Sequence, residues 1–275
     1  MSRPFSTHPR TGADGVAIRA EHLEVGYRNR TIWRDATFEV RRGEFVAVIG
    51  PNGAGKTTLF RLLLGLQRPS RGTLQIFGAP PHRGSGRIGY VPQRHTIDNE
   101  THVAAEALVR LGVSGSHWGP ELSFREHRAA ATEALAAVGA TDLGSKSLSS
   151  MSGGELQRVF LAEAMVGNPE MLLLDEPLSN LDLRRSRELV EVVHGLVVSR
   201  EVTTLLVAHD INPLIECLDK VIYIANGNVA TGPPEVVLTS ASLSELYGVP
   251  VEVLHDSRGN IVIVGGENPH ERAES

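Results

Sequence analysis

Gly50-Pro51-Asn52-Gly53-Ala54-Gly55-Lys56-Thr57 fills the pattern G-x-x-x-x-G-K-[ST] without a gap. An apolar run, Glu44–Ile49, precedes it and reads as a buried strand. Lys56–Leu66 follows, with Leu59, Leu62, Leu63 and Leu66 at helical spacing. A glycine-rich turn between a strand and a helix is the context a phosphate cradle needs. Glycine lets successive backbone N–H groups converge on phosphate oxygens without a Cβ in the way. The helix start adds partial positive charge. Lys56 is then placed to neutralise the β- and γ-phosphates of a nucleotide such as ATP. The Thr57 hydroxyl is placed to bind Mg²⁺, and Thr58 to add a further phosphate hydrogen bond.

Met171-Leu172-Leu173-Leu174-Asp175-Glu176 is an apolar strand ending in two carboxylates. Burial of such a strand in a parallel sheet delivers Asp175 to the carboxyl edge, where ligands bind in folds of this kind. Asp175 is expected to hold Mg²⁺ through water, and Glu176 to polarise the attacking water. Proton-transfer help of that kind contributes about 10²–10⁴-fold in rate. A helix cap or a surface acidic pair is the plainer reading of these two residues. The phosphate loop in the same chain weighs against it. The two segments together still admit kinases, GTPases and helicases.

Further strands are expected at Ala17–Val25, Thr37–Val40, Thr73–Phe77, Arg87–Val91, Thr203–Ala208 and Val221–Ala225. Helical spacing marks Val103–Leu111, Glu126–Val138, Ser152–Val166 and Leu183–Val198. Strands alternating with helices imply an α/β fold with a mainly parallel sheet and right-handed crossovers. Residues 1–16 read as a disordered lead. Residues 93–150 are alanine-rich and helical, as expected of a subdomain inserted into the core. Val249–Leu254 and Asn260–Val264, with Gly259 between them, suggest a small hairpin within a C-terminal extension, 241–275.

With 275 residues and 41% hydrophobic content, the chain can bury a sizeable core. The formal net charge of -5 argues against nucleic acid as a partner, since that needs a basic face. No apolar run approaches the roughly 20 residues that span a bilayer. The N-terminal residues lack the apolar stretch of a signal peptide. The chain is expected to work on the cytoplasmic side of a membrane, held there by partners. Cys217 is the only cysteine, so no internal disulfide can form. Of the 27 basic residues only Lys56, Lys146 and Lys220 are lysines, which makes one inside a glycine-rich loop harder to attribute to chance. The 11 histidines are scattered without metal-ligand spacing.

Ser150-Met151-Ser152-Gly153-Gly154-Glu155-Leu156-Gln157-Arg158 narrows the choice. A serine and two glycines opening a helix make a second anion site from hydroxyl, backbone N–H and helix dipole. One chain needs no second cradle for one nucleotide, but two copies arranged head to tail do. The segment resembles the L-S-G-G-Q signature of the ABC family, with Met151 in place of Leu and Glu155 in place of Gln. Other positions fall in the order that family implies. Tyr27 resembles the aromatic that stacks on adenine. Gln93 resembles the glutamine that contacts Mg²⁺ and leads into the helical subdomain. Ser179-Asn180-Leu181-Asp182 resembles the loop that crosses the dimer interface. His209 resembles the switch histidine that contacts the γ-phosphate. The resemblance covers roughly Ala17 to Ser240, as one ABC ATPase domain with a P-loop NTPase core, an N-terminal antiparallel β subdomain and the helical insertion.

The resemblance implies a head-to-tail homodimer, or a pair with a second ATPase subunit, that sandwiches two ATP molecules. Residues 50–58, Tyr27 and Gln93 of one subunit, with Ser152, Gly153, Gly154, Glu155 and Asp182 lining the interface, would bind the nucleotide. Thr57, Gln93 and Asp175 would hold Mg²⁺. Lys56, Glu176 and His209 would carry the hydrolysis. A transmembrane permease and an extracytoplasmic substrate-binding protein would complete the assembly. The permease is expected to dock near His95–Asp98 and Trp118. Ile88-Gly89-Tyr90-Val91-Pro92-Gln93-Arg94 resembles ATPases of manganese, zinc or iron importers, and Leu246–Val253 those of iron-siderophore or haem importers. Two other classes remain: a soluble ABC ATPase acting on DNA or ribosomes, and a regulatory subunit without turnover. The single compact cassette weighs against the first, and the presence of Glu176 and His209 against the second.

Overall fold

The computed structural model describes residues 15–27, 30–93, 103–116, 124–179, 181–257 and 259–265, the side chains of 27, 30, 113–116 and 124 excepted. In chain order the strands are β1 (Val16–Tyr27), β2 (Arg30–Arg41), β3 (Phe45–Ile49), β4 (Arg71–Ile76), β5 (Ile88–Val91), β6 (Met171–Asp175), β7 (Thr203–Val207), β8 (Lys220–Ala225), β9 (Asn228–Gly232), β10 (Val251–His255) and β11 (Ile261–Gly265). The helices are α1 (Lys56–Leu63), α2 (Ala105–Ser116), α3 (Phe124–Ala137), α4 (Gly153–Met165), α5 (Leu183–Arg200), α6 (Pro234–Val237) and α7 (Ser240–Tyr247).

The central sheet runs β5-β6-β7-β3-β8-β9. Its first five strands are parallel, and β9 closes the edge antiparallel to β8. β3, β6 and β7 are buried along their whole length. That is why their apolar residues are consecutive rather than alternating with polar ones. Their side chains still alternate between two cores. Phe45, Ala47, Leu172 and Leu174 join the face covered by α2–α5. Val46, Val48, Met171 and Leu173 join the face covered by α1 and a three-stranded antiparallel sheet, β2-β1-β4. The antiparallel subdomain, with Trp33 and Phe38 in its core, thus covers the same face of the central sheet as α1.

Several boundaries differ from the sequence expectation. β1 begins at Val16, inside the expected lead, because Val16 pairs with Arg41. Helix α1 stops at Leu63, not Leu66. Gly65 takes a left-handed backbone (φ 65°) and ends the coil, which leaves Leu66 exposed. β2 reaches back to Arg30 although its first half is polar, since pairing with β1 supplies the order. β9 fills the start of the strand-like stretch expected after the Asn226-Gly227 turn, whereas α7 was not anticipated. Asn228–Gly232 is ordered by pairing with β8, and Ser240–Tyr247 is capped by the Thr239 hydroxyl, which accepts from the Ser242 N–H. The residues expected to receive a permease, His95–Asp98 and Trp118, lie outside the described residues, as does Asn180.

Candidate functional site

Parallel register assembles the site. Val48 of β3 lies beside Val207 of β7, and Val207 lies beside Asp175 of β6. Val91 of β5 lies beside Leu174 of β6. Four chains therefore leave the sheet at one edge and at one height. They carry Gly50, His209, Asp175 with Glu176, and Gln93. That edge is where ligands bind in open α/β sheets.

On it, Lys56 is nearly buried, 6% exposed, and its Nζ donates to the carbonyl oxygens of Gly50 (2.7 Å) and Pro51 (2.9 Å). The cation is thus folded back over the loop that it would share with a phosphate. Burial pushes the Lys56 amine below its ordinary value, while the charges of Glu176 and Asp175 oppose that shift. No side chain caps the start of α1, so its N-terminal N–H groups are left to a ligand.

Asp175 is 3% exposed, and its Oδ1 has no hydrogen-bond partner among the described residues. An orphaned buried carboxylate oxygen is costly unless something cationic shares the site. Burial, and next the Glu176 charge, raise the Asp175 carboxyl above its ordinary value. These features suit a Mg²⁺ ligand. Tyr90 of β5 borders the same carboxylate. Burial, and then the Asp175 charge, push its hydroxyl up to about 12.

Glu176 is gripped from two sides. The Gln93 side-chain amide donates to its Oε2 at 2.5 Å, and His209 Nε2 meets its Oε1 at 2.9 Å. Its backbone is left-handed (φ 53°), an uncommon state for a non-glycine residue. Such strain persists where the surroundings over-determine it. The carboxylate therefore has one defined position at the mouth of the site, between an amide and an imidazole, next to Asp175.

Ser152 opens α4 as its N-cap, and a capping box forms with Glu155. The Glu155 N–H donates to Ser152 Oγ (3.4 Å), and Glu155 Oε2 accepts from the Ser152 N–H (2.7 Å). Lys146 Nζ adds a 2.7 Å ion pair to the other Glu155 oxygen. That pair, and then the Ser152 backbone, lower the Glu155 carboxyl to about 2. Glutamate at this position is therefore engaged within its own subunit. Ser152, Gly154 and Glu155 border a recess of about 190 Å³. A separate recess of about 300 Å³ is bordered by Glu176, Ser179 and His209. Leu181 alone lines both. Asp182 caps α5 by accepting from the Arg185 N–H at 2.9 Å.

Residues 33–179, just over half the chain, match the family described as ABC transporter. The chain also aligns over nearly its full length with curated relatives. It is 31% identical to the zinc transport system ATP-binding protein TroB of Treponema pallidum, over 90% of this chain and 93% of that one. It is 31% identical to the manganese transport system ATP-binding protein MntB of Bacillus subtilis, over 87% and 95%. It is 33% identical to the zinc import ATP-binding protein ZnuC of Pseudomonas entomophila, over 90% and 94%. This chain belongs to the ABC transporter family. Among solved structures, it resembles one described as a metal-chelate type ABC transporter in an inward-facing conformation, with TM-score 0.77 and 26% identity over 91% of this chain and 98% of that one.

The protein is an ABC-type ATPase, and its phosphate loop, paired carboxylates, Gln93 and His209 lie together at one edge of the central sheet. Tyr27 ends β1 beside Arg30, and its side chain lies outside the described residues. No helix among the described residues is long and apolar enough to cross a membrane. Sequence reasoning overlooked Tyr90, although it stands two residues before Pro92 in a segment already singled out. Its approach to Asp175 depends on the pairing of β5 with β6, which no local pattern announces.

Proposed function

We propose that this ABC ATPase powers import of zinc or manganese through a separate permease, as a head-to-tail homodimer on the cytoplasmic side of the membrane. The observation that carries the catalytic part is the Glu176 carboxylate, fixed between Gln93 and His209 and adjacent to the unpartnered Asp175 oxygen. Lys56, released from the Gly50 and Pro51 carbonyls, neutralises the β- and γ-phosphates of ATP. Glu176 orients and deprotonates the attacking water, and His209 holds Glu176 and reaches the γ-phosphate. Thr57, Asp175 and Gln93 would hold Mg²⁺, which would supply charge neutralisation. Ser152, Gly153 and Gly154 of the second copy complete the anion cradle. Support for two copies comes from Ser152 and Gly154 bordering a recess that no phosphate-loop residue lines. The segment 93–150 forms the arm that the permease engages, and an extracytoplasmic binding protein delivers the cargo.

The named cargo of TroB, MntB and ZnuC supports the metal assignment. The test compares wild type with Glu176→Gln in cells of the source organism. Cellular zinc, manganese and iron are measured by elemental analysis alongside ATP hydrolysis by the purified chain. Loss of zinc or manganese together with hydrolysis is the expected result. Loss of iron alone favours a metal-chelate cargo. Unchanged metal content with lost hydrolysis refutes metal import but leaves the ATPase assignment standing.

A further inference from the structure

The switch segment, 209–212, is fastened to the far end of the chain. Asn212 uses every hydrogen-bonding group of its side-chain amide. Its Nδ2 donates to Asp210 Oδ1 (2.8 Å) and to the Ile261 carbonyl (3.0 Å), while its Oδ1 accepts from the Ile261 N–H (2.7 Å). The Asn212 backbone N–H donates to the same Asp210 oxygen at 2.9 Å. The amide thus pairs with β11 as another strand's backbone would. A flipped amide would set its oxygen against two acceptors, so the orientation is fixed by chemistry.

The hairpin that receives this contact is itself firmly held. The Ser244 hydroxyl accepts from the Val251 N–H (2.9 Å) and donates to its carbonyl (3.2 Å). Ser240 Oγ accepts from the Val253 N–H at 2.9 Å. Side chains therefore cover the outer edge of β10 and the start of β11, edges that would otherwise offer unpaired backbone groups. Val251, Val253, Ile261 and Ile263 pack against the main core. Within the turn, Asp256 accepts from the Asn260 N–H (2.8 Å) and side-chain amide (2.7 Å). The hairpin is a rigid part presented to the loop that bears His209.

We infer that the β10–β11 hairpin is a brace for His209, and that Asn212 is the positioning residue through which it acts. This inference rests on the reading of His209 as part of the hydrolytic edge. The chain of contacts runs from Glu176 to His209, through Asp210 to Asn212, and on to Ile261, 49 residues away. Nucleotide binding draws on the phosphate loop, which this chain of contacts does not enter. Loosening the brace therefore affects the chemical step and spares affinity, because small misplacements of a reacting group are costly.

The experiment uses the full-length protein in three forms: Asn212→Ala, Ile261→Pro and the double variant. Proline at the first residue of β11 deletes the N–H that Asn212 accepts and is tolerated at a strand start. Each single variant is expected to lower kcat about tenfold with KM for ATP changed less than about twofold. The double variant is expected to be no slower than the worse single one, since both cut one connection. Amide hydrogen exchange over residues 209–214 should accelerate in Asn212→Ala. The inference is overturned by an unchanged kcat, by losses that multiply in the double variant, or by unaltered exchange. Exchange needs no turnover, so it decides the brace even if the wild-type protein fails to hydrolyse ATP, a result that would count against the proposed function instead. Should Ile261→Pro fail to fold, Asn212→Ala alone carries both measurements.

Discussion

Replacing Gly50 with alanine asks whether the phosphate loop is held in place by the strand beside it. Gly50 has φ 144°, and a Cβ built there lies 2.0 Å from the Ile224 carbonyl oxygen and 3.0 Å from its carbon. Carbon and carbonyl oxygen rest no closer than about 3.3 Å, so one side must retreat by roughly 1 Å. Ile224 is 1% exposed in β8, between β3 and β9, and has no room to move. The loop must shift instead. Backbone strain of about 1–3 kcal/mol and overpacking of about the same size together predict a loss of about 2–6 kcal/mol. In a chain of this size the fall in Tm is on the order of 10 °C. Gly53→Ala is the control. Gly53 is also left-handed (φ 77°), yet an added Cβ meets no atom within 4 Å. Only the left-handed penalty of about 1–2 kcal/mol remains there. Urea denaturation ranks the two variants, and a fluorescent ATP analogue reports binding. Both variants crowd the phosphates, so affinity can drop in each, and stability is the discriminating readout. Equal unfolding midpoints for the two would refute the argument from Ile224.

Three further outcomes follow from the same geometry. Glu176→Gln keeps an acceptor for the Gln93 amide but removes the base, so turnover should drop about 10²–10⁴-fold while ATP binding persists; phosphate release in the steady state measures it, and a loss under threefold would exclude the base role. Glu155→Gln preserves the capping box and deletes the charge facing Lys146. Because the folded-state value is depressed, from 4.5 to about 2, the stabilisation is present above 4.5 and fades as pH falls toward 2. The Tm gap between wild type and variant should therefore close over that range, and a constant gap would contradict the pairing. Arg42 and Arg87 stack on Phe77, at 4.5 and 4.2 Å from its ring centre, and both pair with Glu170. Glu170→Ala should cost about 1 kcal/mol at low salt, discounted for partial exposure, and less near ~1 M salt; an effect independent of salt would assign the loss to packing.

Much of the architecture could be read along the chain because its signals are local. Phe45–Ile49 and residues 171–174 and 205–207 are continuous apolar runs, as expected of strands covered on both faces. Segments ordered by their partners were harder to read. The polar half of β2 and the short β9 carry weak patterns and take their order from β1 and β8. The serines of α7 hide its helical character, yet two of those hydroxyls close the edge of β10.

The candidate site divides the same way. A phosphate cradle is a property of consecutive backbone groups, so glycine spacing and Lys56 suffice to reveal it. The acid pair announces itself because an apolar strand ends in it. The grip on Glu176 is different, because Gln93 and His209 approach it from two other strand ends. Only the parallel register of β5, β6 and β7 brings those ends to one height. The clasp of Asn212 on Ile261 goes further still. An amide side chain has no local preference for a partner 49 residues away, and the packed hairpin alone sets that meeting.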